Sequence, residues 1–174
     1  VEHVLRGGNH LLILVNDVLD LSRIEAGEFY VKIESLEFGP LLDEALRLIQ
    51  PLAKSNEIKI ECLTPKENHL RVKGDHARIV QVLINLLSNA IKYNRKNGSV
   101  TISQEKNQED RVRISIADTG YGIPKEKQSE IFEPFSRLNI EKGTVDGVGI
   151  GLSITQKLID LMGGSISLES EIDK

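Results

Sequence analysis

Residues Gly74 to Tyr93, GDHARIVQVLINLLSNAIKY, decide how the rest of the chain is read. Advancing by about 100° per residue from Asn85 places Ile79, Val80, Leu83, Ile84, Leu86, Leu87, Ala90 and Ile91 on one broad apolar arc. Arg78, Gln81, Asn85, Asn89 and Lys92 fall on the opposite arc, with Tyr93 at its edge. The spacing predicts a helix that makes core with one face and offers amides and an ammonium on the other. Asn85 and Asn89 are one turn apart, so their side chains stack about 6 Å from each other. Two neutral amide oxygens with a lysine nearby suit a hard cation bound to phosphate, although a plain solvated face of Asn, Gln and Lys has the same pattern.

Upstream, Val1 to Ile24 reads as another helix, with Val4, Leu5, Leu11, Leu12, Leu14, Val15, Val18, Leu19 and Leu21 on one arc and Gly27 as its stop. Such a stripe needs a second helix to cover it, from this domain or another chain, and we read it as an oligomerisation arm. Phe29 to Phe38 is a linker and short strand, and Pro40 to Gln50 a helix with Leu41, Leu42, Ala45, Leu46 and Ile49 at helical spacing. Glu57 to Leu63 and Leu70 to Val72 are expected strands, the first with Lys59 and Glu61 outward and Cys62 as a small core residue.

Downstream, Val100 and Ile102, then Val112, Ile114 and Ile116, alternate on either side of the polar stretch QEKNQED, which predicts a hairpin. A glycine-containing loop at Asp118 to Pro124 leads to a short helix and to Ile131–Leu138. Asn139 to Gly149 lacks periodicity and is long for a passive connection, a candidate mobile lid. Ile150 to Met162 is the last helix, stopped by Gly163-Gly164, and Ser165 to Ser170 is an expected strand whose partner strand is missing.

At 174 residues, with 40% apolar and 28% charged residues, the chain reads as one globular domain plus an accessory element. A net charge of -4 gives no support to a nucleic-acid surface, so bound anions must be met by local groups. Cys62 is the only cysteine, which excludes an intramolecular disulfide. No signal peptide and no apolar run of membrane-spanning length appear.

Asp118-Thr119-Gly120-Tyr121-Gly122-Ile123-Pro124 follows directly on a strand; its glycines let backbone approach a flat ligand, and its carboxylate can accept from an exocyclic amino group such as that of adenine. A tight turn with a capping Asp carries the same residues. Gly147-Val148-Gly149-Ile150-Gly151-Leu152 opens a helix, where bare amides and the helix dipole favour an anion, although GxGxG also serves as a hinge. No GxxxxGK[ST] occurs, so phosphates would not be held in the Walker manner.

Taken in order, these segments resemble the histidine protein kinases of two-component systems, within the ATPase superfamily shared with gyrase, the ninety-kilodalton heat-shock chaperone and MutL. Asn85-Leu86-Leu87-Ser88-Asn89-Ala90 matches the Asn box, Asp118 to Pro124 the first glycine box, Ile131 to Arg137 the Phe box and Gly147 to Leu152 the second glycine box. The resemblance implies an α+β fold, a two-layer α/β sandwich whose mixed, largely antiparallel sheet is covered by helices on one face and preceded by one long helix. It implies ATP and Mg²⁺ as cofactors, with Asn89 and Asn85 on the metal and phosphates, Lys92 and Arg137 at phosphate, and Tyr93 along the nucleotide. Asp118 would bind the adenine amino group, with Gly120, Gly122 and Ile123 around the base. Gly147, Gly149, Ile150, Gly151 and Leu152 would supply hinges and phosphate contacts.

ATP-hydrolysing members place a glutamate where Asn85 stands, and an amide cannot serve as that base, so transfer to a protein acceptor is favoured over hydrolysis. Residues 1–27 look like the second helix of the dimerisation bundle and 28–174 like the catalytic domain, implying a homodimer through helix 1–25 and a response regulator receiver domain as partner. A cytoplasmic location follows, with membrane attachment only through regions outside this chain. His3, His10, His69 and His76 all fail the family's acceptor motif, a His followed by Glu or Asp with Arg and Pro nearby. The alternative is a nucleotide-sensing and dimerisation module without kinase activity; a chaperone-like or repair-type ATPase is disfavoured by Asn85.

Overall fold

The computed structural model describes residues 2–63, 70–106, 111–136 and 149–172, with the side chains of residues 2–7, 9, 10, 13 and 14 left aside. Its elements run α1 (Glu2–Glu25), β1 (Glu34–Glu37), α2 (Phe38–Ser55), β2 (Lys59–Cys62), β3 (Arg71–Gly74), α3 (His76–Lys92), β4 (Ser99–Lys106), β5 (Val112–Asp118), α4 (Lys125–Gln128) and α5 (Gly151–Leu161). β4 is the centre of a three-stranded mixed sheet, parallel to β2 and antiparallel to β5. β1 and β3 form a separate antiparallel pair, so the described strands divide between two sheets.

The apolar arc of α3 forms as its spacing requires, and Asp75 caps its start by accepting from Arg78 N at 3.2 Å. Leu83, Leu87, Ala90 and Ile91 join Phe38, Leu41, Ala45 and Ile49 of α2 over Val100 and Ile102 of β4. In the β4–β5 hairpin Val100 lies opposite Asp118 and Ile102 opposite Ile116, which carries Asp118 to the strand end beside the tail of α3.

A second cluster sits across α3, where Val82 meets Leu21 of α1 and Ile150, Ile154 and Leu158 of α5. The C-terminal end of α1 is thereby docked. Arg78 adds to this by donating to Asp20 Oδ2 at 3.2 Å and to Gln81 Oε1 at 2.9 Å, with its guanidinium 4.5 Å from the Phe29 ring centroid. Farther along, Leu11, Leu12, Val15, Val18 and Leu19 remain exposed. Among the described side chains of the stripe, only Leu21 is buried.

The glycine stops are where the sequence puts them. Gly27 has φ 71° and Glu28 N donates to Arg23 O at 2.9 Å, while Gly163 has φ 74° and Gly164 N donates to Ile159 O at 2.9 Å.

Three expectations are corrected. α2 does not end at Gln50 but runs through Pro51 to Ser55, with Ala53 buried in the core and Asn56 N closing the last turn on Leu52 O at 3.2 Å. Cys62 is exposed rather than core, since β2 is an edge strand and only Ile58 and Ile60 lie under α2 and α3. Residues 165–170 make no ladder among the described residues, although Ile166 and Leu168 keep the half-buried alternation; Ser170 is bound instead to Ile123 and Gln128.

Leu21→Ala should cost about 2 to 5 kcal/mol of α1 docking. Hydrogen exchange should show residues 15–25 opening while residues 80–91 stay protected; equal loss in both would show that α1 is not held separately.

Candidate nucleotide site

The polar strip of α3 meets the Asp118 loop at its C-terminal end and the start of α5 near its middle. At its C-terminal end Tyr93 O accepts from Tyr121 N at 3.4 Å, and a Cβ built on Gly120 would lie 2.6 Å from Tyr93 O and 2.5 Å from Asp118 Oδ1. Only glycine lets the loop lie so close. Nearer the middle of the strip, a Cβ on Gly151 would lie 2.5 Å from Asn85 Oδ1. Asn85 and Tyr93 are separated along the axis by roughly 12 Å, the rise of eight helical residues.

The loop end is locked by residues that reading the sequence passed over. Asn94 Nδ2 donates to Ala90 O and Ser99 O, each at 3.0 Å, and Asn94 Oδ1 accepts from Thr119 Oγ1 at 3.1 Å. Thr119 Oγ1 also accepts from Ser99 N at 2.9 Å. The tail of α3, the start of β4 and the end of β5 are thus joined by two short polar side chains. Their only signal was position, since Asn94 follows the amide helix and Thr119 lies inside the glycine loop.

Asp118 Oδ1 accepts from Gly120 N at 2.8 Å. Desolvation raises its pKa above the usual carboxylate value, and the Gly120 hydrogen bond opposes that rise only in part. The side chain is nevertheless exposed, which leaves its second oxygen accessible. Arg95 lies over the Tyr121 ring at 5.5 Å. Gly122, at φ 71°, faces the backbone of Glu171 and Ile172, and Ile123 N donates to Ser170 Oγ at 2.8 Å. The space left by both glycines is thus filled first by backbone and by Asp118 itself.

At the other end Asn85 Nδ2 donates to Thr155 Oγ1 at 2.7 Å, tying α3 to α5. Asn89 is half-buried and its side chain makes no hydrogen bond among the described residues. Lys92 is exposed in the last turn of α3, and Tyr93 caps that turn. Gly149 has φ 78° and its carbonyl accepts from Phe135 N at 2.9 Å, which joins the end of the aromatic segment to the start of α5. Leu152 is half-buried in the first turn of α5.

At 1% exposure the Ile150 side chain belongs to the second cluster and makes core, which leaves its backbone as what this position can offer a ligand. Arg137, Gly147 and residues 139–148 of the expected lid lie outside the described residues, as do His69 and the side chains of His3 and His10. Among the described residues no cluster of three or more His, Cys, Asp or Glu could hold a metal ion, and no helix is long and apolar enough to cross a membrane.

An amide-bearing helix bracketed by an Asp-glycine loop and a glycine-started helix defines an ATP-binding α/β domain. Comparison with known proteins agrees. Residues 74–174 match the family described as Histidine kinase-, DNA gyrase B-, and HSP90-like ATPase, and the chain belongs to that family, in its histidine kinase branch. It is 36% identical over 174 residues to the circadian input-output histidine kinase CikA of Synechococcus elongatus, covering 99% of this chain and 23% of that protein. Full-length ShkA in complex with AMPPNP superposes with a TM-score of 0.80 and 31% identity, over 97% of this chain and 35% of that one. Histidine kinase ThkA in complex with response regulator protein TrrA gives a TM-score of 0.67 at 30% identity, over 90% of this chain and 43% of that one. The chain spans about a fifth of the length of the curated relatives it matches.

A carboxylate with a raised folded-state pKa binds more protons folded than unfolded, so its contribution to stability falls as pH rises through that window. Asp118→Asn keeps an acceptor for Gly120 N and removes the charge. Its thermal midpoint at neutral pH, without nucleotide, should equal or exceed that of wild type; a lower midpoint would show that the Gly120 hydrogen bond outweighs desolvation.

Proposed function

We propose that this chain binds Mg·ATP and transfers the γ-phosphoryl group to a histidine on a dimerisation helix outside it, for relay to a response regulator. The observation that carries the reading is the bracketing of one polar strip, with Tyr93, Asp118 and Gly120 at one end and Asn85 and Gly151 at the other. That arrangement suits an extended nucleoside triphosphate, with adenine at Asp118 and phosphates at the start of α5. The family match and the AMPPNP-bound neighbour support it.

Asp118 accepts from the adenine amino group, and Gly120, Gly122, Ile123 and Tyr93 line the base and sugar. Asn89, with Asn85 beside it, presents amide oxygen to Mg²⁺, and Lys92 and Arg137 meet phosphate charge. Gly147, Gly149, Gly151 and Leu152 belong to the phosphate end. The donor set fits magnesium: Asn89 carries an amide with no internal partner among the described residues, and a hard cation that keeps its waters and arrives with phosphate needs few protein ligands. When bound, the ion neutralises phosphate charge. The chain itself positions the triphosphate and, with an amide at Asn85, has no base there to activate water.

Residues 1–27 act as one helix of a dimerisation bundle and 28–174 as the catalytic unit. The exposed Leu11, Leu12, Val15, Val18 and Leu19 support homodimerisation through helix 1–25. A response regulator receiver domain is the downstream partner, a reading supported by the ThkA complex. The catalytic region works in the cytoplasm, where ATP is supplied.

Asn89→Ala should abolish the Mg²⁺ dependence of nucleotide binding, read by calorimetric titration, while the fold survives. Asp118→Ala should narrow adenine over guanine preference by about 1.5 to 3 kcal/mol. Single-turnover transfer from labelled ATP to an added dimerisation bundle carrying its histidine tests the reaction itself. Tight binding without transfer would favour a nucleotide-sensing module, and steady phosphate release without acceptor an ATPase.

A further inference from the structure

We infer that Thr155 is a positioning residue for Asn85, its buried hydroxyl anchoring the amide nitrogen while the amide oxygen is turned toward the phosphate end of the site. This rests on reading that end as the triphosphate end. Thr155 is 2% exposed on the inner face of α5, and its Oγ1 accepts from Asn85 Nδ2 at 2.7 Å.

Burial alone does not demand this bond. Ser153, also 2% exposed on the same helix, satisfies its hydroxyl locally by donating to Ile150 O at 2.7 Å. A helical Ser or Thr has that local option. Thr155 instead reaches across to Asn85 of α3, the side chain nearest Gly151 among the described residues.

The consequence lies in which end of the amide remains. A Cβ on Gly151 would lie 2.5 Å from Asn85 Oδ1 and 3.1 Å from Nδ2, so the carbonyl end is the nearer to the first turn of α5. That turn carries N–H groups without helical partners and the positive end of the helix dipole, both favourable to an anion. An amide oxygen beside a bound anion is useful only to a cation shared with it. A flipped amide would place its N–H₂ there and would repel that cation while hydrogen-bonding the anion directly.

Anchored in this way, Asn85 favours metal-bound over metal-free nucleotide. No charge on Thr155 is involved, and no residue of the adenine end changes. Thr155→Val keeps the shape and removes the hydroxyl; Thr155→Ser keeps the hydroxyl and trims a methyl.

The test is a Mg²⁺ titration of AMPPNP binding to the full chain. Thr155→Val should raise the Mg²⁺ concentration at half-saturation about tenfold, the equivalent of one lost hydrogen-bond constraint, with metal-free binding unchanged or tighter. Thr155→Ser should stay close to wild type, and Thr155→Val should add nothing in an Asn85→Ala background. An unchanged magnesium midpoint in Thr155→Val, equal defects in Val and Ser, or additive losses with Asn85→Ala would each overturn the inference. Failure of wild type to bind AMPPNP would remove the functional reading, and the positioning is then decided by NMR. Side-chain amide protons of Asn85 protected from exchange in wild type and Thr155→Ser but not in Thr155→Val support it, and equal protection in all three overturns it.

Discussion

The burial of α3 between two apolar clusters is the constraint from which the site follows. Leu87 and Ile91 are sealed against α2 and β4, with almost no exposed surface, and Val82 on another side of the same helix is sealed against α1 and α5. Full burial of such a side chain is worth about 1.5 to 3 kcal/mol, so rotating α3 would forfeit several of these terms together. Asn85, Asn89 and Lys92 are among the residues left partly or fully uncovered on the polar side. Those side chains have fixed positions because the residues around them leave the helix no freedom to turn.

Fixing α3 is not enough, since a ligand bound along the strip needs walls that approach its backbone. Gly120 and Gly151 supply that approach where any Cβ would collide, and the collisions would be with Tyr93 O, Asp118 Oδ1 and Asn85 Oδ1. Short polar side chains then hold the approaching segments in place: Asn94 and Thr119 at one end, Thr155 at the other. Asp118 pays for this geometry in stability, because partial desolvation works against its charge.

How far the sequence disclosed this depended on whether the signal was periodic. The α3 arc, the β4–β5 alternation and the αL glycines at 27 and 163 were legible because each repeats at a helical or strand period or requires a special φ. The far end of α2 was not legible, because the apolar spacing that marks the helix gives out after Ile49 although the helix continues through Pro51 to Ser55. Cys62 follows the strand period but lies where the helices above the sheet give out, a boundary that only the tertiary fold defines. Ile150 was grouped with its motif, yet its side chain points away from the glycines that flank it because α5 needs an apolar residue at that step. Asn94, Thr119 and Thr155 act through partners between 4 and 70 positions away, and no local pattern marks the distant pairs.

The last element, α1, differs from the others in being committed at one end and open at the other. Leu21 shares a cluster with Ile150 and Ile154, and Asp20 accepts from Arg78 in the first turn of α3. Ile150 in turn immediately precedes Gly151, whose backbone abuts Asn85. A displacement of the docked end of α1 would have to be absorbed by a close-packed cluster that also sets the first turn of α5, and packed side chains shift in steps rather than yield smoothly. The exposed leucines and valines upstream are not members of this cluster. The docked end of α1 and the start of α5 thus share one packed cluster through Leu21 and Ile150, one residue before the glycine that abuts Asn85.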